Sequence, residues 1–346
     1  MVIETNVTKL LGIKHPILGA PMAPYYTTEL TIAVSEAGGL GVLSHTGLIG
    51  KSTVNEMKSN MEYVVEHTDK NFGFNIKTTR MQTDAHSLCR IIPKFIMNNP
   101  KIKEQCIYAL TSAGTSRTLP ESKNFQKLRE SGSNIKHFHV APALWLADKC
   151  VATGVDGMVI TGNEGAGHQS YEKVSTLVLL QQVRKKYPDI PIVGCGGFAS
   201  GEGLAAALAM GAGAVAMGSR FIASKESDFH DNYKNIIPPA KAGDTKLITG
   251  FAAPCRLWKN KYTVSHSLVS DKSEKMAEEQ NITTEELLEM AENYSTPIIN
   301  GNIDGAMPLG QSIGVINSIE TVSDIIDTIV KSAENYIKNA VNSIKY

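Results

Sequence analysis

The sequence carries no excess of either charge: Lys+Arg and Asp+Glu both number 34 in 346 residues. Such a balance makes no field that would draw in nucleic acid or an anionic membrane, so neither is an expected partner. Cysteine is scarce. Cys89, Cys106, Cys150, Cys195 and Cys255 are odd in number, widely spaced and form no C-x-x-C pair, which argues against a disulfide framework and a zinc knuckle. Met1 to Gly12 lacks a basic start followed by an apolar run, so no export signal is visible, and Asn6-Val7-Thr8 reads as a chance sequon. Long apolar stretches are missing: the longest weakly polar run, residues 204–217, is Gly/Ala-rich and too short to span a bilayer. A reducing cytoplasm is the expected location. The two tryptophans, Trp145 and Trp258, read as packing residues rather than a cofactor box.

Hydrophobic content is 42% and charged content 20%, enough for a well-buried core. Apolar runs of strand length fall at residues 16–22, 39–44, 72–76, 106–111, 136–141, 157–161, 191–196 and 214–221. Near-continuous apolar runs fit strands buried on both faces of a parallel sheet. Helical patterns fill the gaps at 28–37, 53–67, 87–98, 122–131, 144–153, 175–187 and 203–210. Regular strand–helix units in this number predict an α/β fold, a (β/α)8 TIM barrel, over an open doubly wound sheet. The rhythm stops near Lys225. Polar, turn-rich sequence follows, with a helix expected from Thr283 to Asn293, where the Thr283–Glu286 spacing makes a capping box, and a Gly/Pro-rich loop over 297–314. The chain closes on an amphipathic helix that includes Ile325, Ile329, Ala333 and Ile337. The expected organisation is a barrel over residues 1–223, a cap over 224–314 inserted before the last barrel helix, and that helix in 315–346.

The clearest chemical signal is a pair of strand–glycine elements. One runs from Pro191 into Gly196-Gly197; the other runs from Ala214 through Met217 to Gly218-Ser219. As the seventh and eighth strands they fall where such barrels often bind a phosphate, because glycine admits close backbone N–H approach to an oxyanion and a helix start adds partial positive charge. Taken alone, tight turns also demand such glycines. Gly201-Glu-Gly203 and Gly211-Ala-Gly213 lack the βαβ context of a dinucleotide fingerprint. After strand six comes Thr161-Gly-Asn-Glu-Gly-Ala-Gly-His168, a glycine-rich loop with one histidine at the end where barrel enzymes keep catalytic groups. His137 and His139 share one strand face without a third ligand, so no metal site is expected, and His45 ends strand two.

Together these elements resemble the nitronate monooxygenase family, formerly 2-nitropropane dioxygenases, with its relatives among flavin-dependent enoyl-acyl-carrier-protein reductases and NAD(P)H:quinone reductases. The likeness runs from about Leu10 to Ile326. Pro16-Ile-Leu-Gly-Ala20-Pro21-Met22 looks like the first strand lying against the flavin, and Glu36-Ala-Gly-Gly-Leu-Gly41 like the second-strand signature. Gly73-Phe-Asn75 resembles the third strand, whose Asn bonds the flavin. Glu164-Gly-Ala166-Gly167-His168 resembles the E-x-G-G-H loop, Gly196-Gly197 and Met217-Gly218-Ser219 the FMN-phosphate elements, and Pro308-Leu-Gly-Gln311 the late Gly-Gln element. Ala166 stands for a usual glycine, Thr161 for a frequent Gln, and Ser219 for a commoner Thr. The resemblance implies bound FMN, contacts to it from these residues, and His168 as the catalytic group.

The implied activity is oxidative denitrification of alkyl nitronates with O2. The alternative is NAD(P)H-driven reduction of a quinone or enoyl thioester on the same flavin. Further off lie a nucleotide-type phosphate barrel, which would need a nucleophilic Cys in the loop over 162–170 where none occurs, and a flavin-binding protein without turnover. Partners are therefore a small-molecule substrate, NAD(P)H in the reductase case, and a second copy if the chain is a homo-oligomer. His168 is open as either a base or a hydrogen-bond donor. The cap residues Arg256, Trp258 and Lys259 are expected to set substrate choice.

Overall fold

The computed structural model describes residues 3–22, 27–46, 52–79, 82–250, 253–269, 271, 273–274, 276–277 and 282–345. Eight parallel strands form one sheet. They are β1 (Ile17–Gly19), β2 (Gly41–Leu43), β3 (Phe72–Lys77), β4 (Cys106–Ser112), β5 (Lys136–Ala141), β6 (Gly157–Thr161), β7 (Ile192–Cys195) and β8 (Ala214–Met217). Each pairs with its sequence neighbour, and β8 pairs with β1 (Val215 against Ile17). The ring closes between β1 and β2 through the Leu18–Leu40 bridge, with Gly19 N donating to Leu40 O at 2.9 Å and Leu40 N to Ile17 O at 3.0 Å. The result is the (β/α)8 barrel expected from the alternation.

The strand period of two sorts the apolar residues into two cores. Leu18, Val42, Phe138, Val159, Val193 and Ala216 fill the barrel interior. Their neighbours Ile17, Met158, Ile160, Ile192, Val215 and Met217 point outward under the helices. Gly157 is required by this filling: a Cβ there would stand 2.2 Å from the Phe138 ring. The floor is closed by a helix that the sequence pattern did not reveal, Asn6–Leu11, whose Val7 and Leu11 join the interior cluster. Its capping residue Thr5 donates to Gly213 O at 2.6 Å, beneath β8.

Strand ends differ from expectation. The segment after Met217 is not strand but a helical turn, Ser219–Ile222, and residues 20–22 leave the sheet after Gly19. A short helix, Pro100–Gln105, with Asn99 as cap and Pro100 at its first position, precedes β4. In the cap, the segment expected to be turn-rich is a β-hairpin, β9 (Thr245–Thr249) with β10 (Pro254–Trp258). The capping-box helix is present, with Thr283 N donating to Glu286 Oε2 and Glu286 N to Thr283 Oγ1. It runs from Thr284 to Asn300 through Pro297, where a loop was expected. The final helix, Val322–Asn342, packs Ile325, Ile326, Ile329 and Ala333 into the outer core against helix Gly201–Ala209.

Candidate active site

At the C-terminal ends of the strands lies a cavity of about 1080 Å³. Ala20, Pro21, Met22, Asn75, Thr161, Ala166, Gly167, His168, Gly196, Gly197, Gly218 and Ser219 all line it. Two expected site residues do not. Met217 is outward-facing in β8, buried under the helices. Gln311 opens a 3-10 turn and meets the site loop through its backbone, its N–H donating to Glu164 O at 2.8 Å.

One end of the cavity is backbone. Gly196 and Gly197 follow β7 with φ of +83° and +92°, the left-handed region that L side chains rarely adopt. A Cβ on Gly196 would lie 2.8 Å from Gly165 N. Gly218 ends β8, and a Cβ there would meet the Met22 sulfur at 3.8 Å. The Ser219 hydroxyl accepts from Gly310 N at 3.1 Å, which ties the cap to this corner and leaves the hydroxyl proton to donate.

The wall carries the chemistry. Asn75 is 1% exposed, and its Oδ1 has no hydrogen-bond partner among the described residues. Leaving a buried carbonyl unpaired costs on the order of 1–3 kcal/mol, which a bound donor would relieve. Two positions along the same strand is Lys77, which also lines the cavity. Burial pulls its ammonium down to about 8, opposed by the Asp84 carboxylate. Sequence reading passed over Lys77, although the period of two puts it on the face of Asn75. Tyr108, reaching in from β4, also has a buried hydroxyl without a hydrogen-bond partner among the described residues.

His168 sits in a loop held from both sides. Its backbone pairs with Cys255 of β10, and Gln169 N donates to Pro254 O at 2.7 Å. On the far side, Glu164 Oε2 accepts from Thr176 N at 2.8 Å and Thr176 Oγ1 at 2.9 Å, capping helix Thr176–Lys186. His168 Nε2 has no partner among the described residues. Burial first, and the Lys77 cation second, push its imidazole down to about 4. At neutral pH the ring is therefore uncharged and carries one N–H donor.

The remaining candidates resolve into structural roles. His45 is fully buried; its Nε2 donates to Asp84 Oδ1 (3.2 Å) and its Nδ1 accepts from Lys77 N (3.0 Å). His137 and His139 share the Thr111 hydroxyl at 2.8 and 2.7 Å, and no metal-binding group of His, Cys, Asp or Glu occurs among the described residues. Arg256 does not line the cavity. It is buried, donating to Asn163 O at 2.6 Å and Thr245 Oγ1 at 3.0 Å, so it braces the site loop. Trp258 packs in the cap core and Lys259 is exposed outside the cavity. The cap side chains that line the cavity include Phe229, Tyr233, Cys255, Tyr294, Ile298, Pro308 and Ser312. Trp145, expected in packing, is 40% exposed at the cavity rim. Cys195 and Cys255 reach the wall, but burial holds their thiols up, to about 11 and 12, so neither is a thiolate nucleophile at neutral pH.

Residues 4–332 match the family described as nitronate monooxygenase. The chain belongs to the nitronate monooxygenase family. It is an oxidoreductase of that flavin-enzyme family, and no helix among its described residues is long and apolar enough to cross a membrane. Its relatives differ in chemistry. A (3aS,4S,5R,7aS)-5-hydroxy-7a-methyl-1-oxo-octahydro-1H-indene-4-carboxyl-CoA dehydrogenase of Mycobacterium tuberculosis (strain ATCC 25618 / H37Rv) is 28% identical, covering 98% of this chain and 99% of that protein. A probable nitronate monooxygenase of Staphylococcus saprophyticus is 29% identical over 72% of this chain and 78% of its own length. The structure of FabK from Thermotoga maritima is similar with a TM-score of 0.80 at 31% identity, over 99% of this chain and 100% of that one.

Proposed function

We propose that the protein is an FMN-dependent oxidoreductase whose substrate is an acyl or enoyl thioester. The observation that carries this reading is the size of the cavity. About 1080 Å³ lies at the top of the roughly 300–1,000 Å³ range of ligand sites, large enough for a flavin with a second ligand beside it. The full-length similarity to a CoA-thioester dehydrogenase supports it.

The residues present fit FMN. Gly196, Gly197, Gly218 and Ser219 make a backbone-rich cradle for one phosphate, and Asn75 offers an unsatisfied carbonyl to a ring N–H. A bound flavin supplies two-electron redox chemistry that no side chain here can perform. The protein's part is orientation and polarisation. The loop over 162–170, clamped by β10 and by Glu164, fixes where the imidazole stands. A neutral His168 can donate a hydrogen bond to the thioester carbonyl, and the Lys77 cation adds positive potential where negative charge would develop. An imidazole held near 4 is a weak base at neutral pH, so the donor role is the one we assign.

Nitronate oxidation is the second reading, favoured by the family match itself. A nitronate is already deprotonated and also asks only for a donor at His168. Anaerobic titration of the FMN-loaded protein separates the two. Butyryl-CoA that bleaches the oxidised flavin, or crotonyl-CoA that restores colour to the reduced one, supports the thioester reading. Bleaching by nitronates with no response to either thioester overturns it.

A further inference from the structure

A second cavity opens beside the first. It encloses about 310 Å³ between Ser116 and Arg117, on the loop after β4, and Trp145 and Lys149 on helix Leu144–Ala152 after β5. Gly114, Thr115, Trp145 and Leu146 line both cavities, so the two share a lip. In the strand order, β4 and β5 lie on the far side of the ring from β8 and β1. The glycine cradle ends β7 and β8, so β6 separates it from the side pocket on one side of the ring and β1 to β3 on the other.

Its chemistry is cationic. Among the described residues lining the main cavity Lys77 is the one Lys or Arg, whereas the side pocket has Arg117 and Lys149, both exposed. None of its lining residues is a carboxylate among the described residues. The neighbouring Asp148 is already engaged by Lys186 Nζ at 2.7 Å and Tyr187 OH at 2.6 Å. The Lys149 ammonium stands 4.7 Å over the Trp145 ring, whose exposure leaves indole surface for a ligand to cover. A second wall residue, His139, is held neutral by burial and bonded to Thr111, so it neither adds to nor cancels the two cations at neutral pH.

We propose that this side pocket receives the phosphate-bearing end of a coenzyme A thioester, with Arg117 and Lys149 as its cationic contacts and Trp145 as its apolar wall. The proposal rests on the thioester reading above. With the acyl carbonyl at His168, the pantetheine arm leads out over the shared lip of Gly114, Thr115 and Leu146. The phosphates then arrive where two cations stand without a competing carboxylate. A nitronate or a simple quinone has no group that would use this pocket.

The test has two arms. In a Trp258→Phe background Trp145 is the remaining indole of the two in the chain. Free coenzyme A, with no acyl group, is titrated against its fluorescence. Saturable quenching, weakened about tenfold in Arg117→Glu and in Lys149→Glu, is expected for charge-assisted contacts. In the second arm, kcat/KM is measured for crotonyl-CoA and for crotonyl-pantetheine, which lacks the phosphates. The parent should prefer the CoA ester, and either charge reversal should cut that preference about tenfold. Turnover of both esters without preference, and without quenching, overturns the side pocket and leaves the thioester reading standing. Quenching that the charge reversals weaken about tenfold supports the pocket even if neither ester turns over, in which case only the thioester reading fails.

Discussion

Gly218 offers the sharpest test of where a flavin phosphate would sit. Its φ of −104° is ordinary, and a Cβ added there would meet the Ala20 Cβ at 3.7 Å and the Met22 sulfur at 3.8 Å, ordinary contact distances. Gly218→Ala should therefore leave both fold and flavin affinity near parental. Gly218→Asp places a carboxylate in the cradle. At about 4 Å and an effective dielectric of about 20, two unit charges repel by about 4 kcal/mol, which is roughly a thousandfold in FMN dissociation constant. Gly196→Ala behaves differently. At a φ of +83°, with its Cβ 2.8 Å from Gly165 N, the alanine strains the chain before any ligand binds. The left-handed backbone costs about 1–2 kcal/mol and displacement of packed neighbours about 1–3 kcal/mol more, so its melting temperature should fall. Flavin absorbance titrations on apo-protein give the affinities, and circular dichroism melts give stability. Parental FMN affinity in Gly218→Asp would place the phosphate elsewhere. An unfolded Gly218→Asp would refute the claim that the cradle has space for a side chain.

Other perturbations follow from the same geometry. His168→Asn keeps a donor and should stay within about tenfold of parental kcat, whereas His168→Ala should lose about 10²–10³-fold, as for an oxyanion-type donor; equal losses would make His168 a base. Lys77→Met removes the second cause of the low His168 titration, so the imidazole should titrate higher than about 4 but still below 6.5, because burial is the larger cause; an unmoved titration by NMR would uncouple the two residues. His137 and His139 are depressed by burial to about 3 and about 4. The unfolded chain then binds more protons below 6.5, so their stability contribution is complete above that pH and is lost as pH falls towards 4. Each should contribute about 2 kcal/mol less at pH 5 than at pH 7.5, seen as a lower urea midpoint, and a midpoint flat over that range refutes their neutral burial. Arg256→Met should destabilise by about 1–3 kcal/mol and slow turnover by loosening the loop over 162–170. Restored stability without restored turnover in Arg256→Lys would show that the guanidinium geometry matters.

The barrel is legible in the residue pattern alone. Apolar runs at strand length, alternating with amphipathic helical segments, leave few folds that bury every run. The same residues, split by a period of two, supplied both the interior and the outer core. Glycines at 196, 197 and 218 and the histidine at 168 were legible because their positions at strand ends carry meaning whatever surrounds them. Other features were decided only by the tertiary structure. Residues 245–249 and 254–258 look turn-rich in isolation, yet they pair as a hairpin, and Gly167–His168 adds to its edge. That pairing links segments far apart in sequence, which no local pattern records. Arg256 looked like a specificity residue because it is charged and in the cap; burial against Asn163 and Thr245 makes it a brace. Met217 looked like part of the phosphate element, but strand alternation turns it away from the cavity that Gly218 faces. The low titration of His168 and the cationic pocket at Arg117 and Lys149 arise from burial and from the meeting of separate loops, and both exist only once the chain has closed on itself.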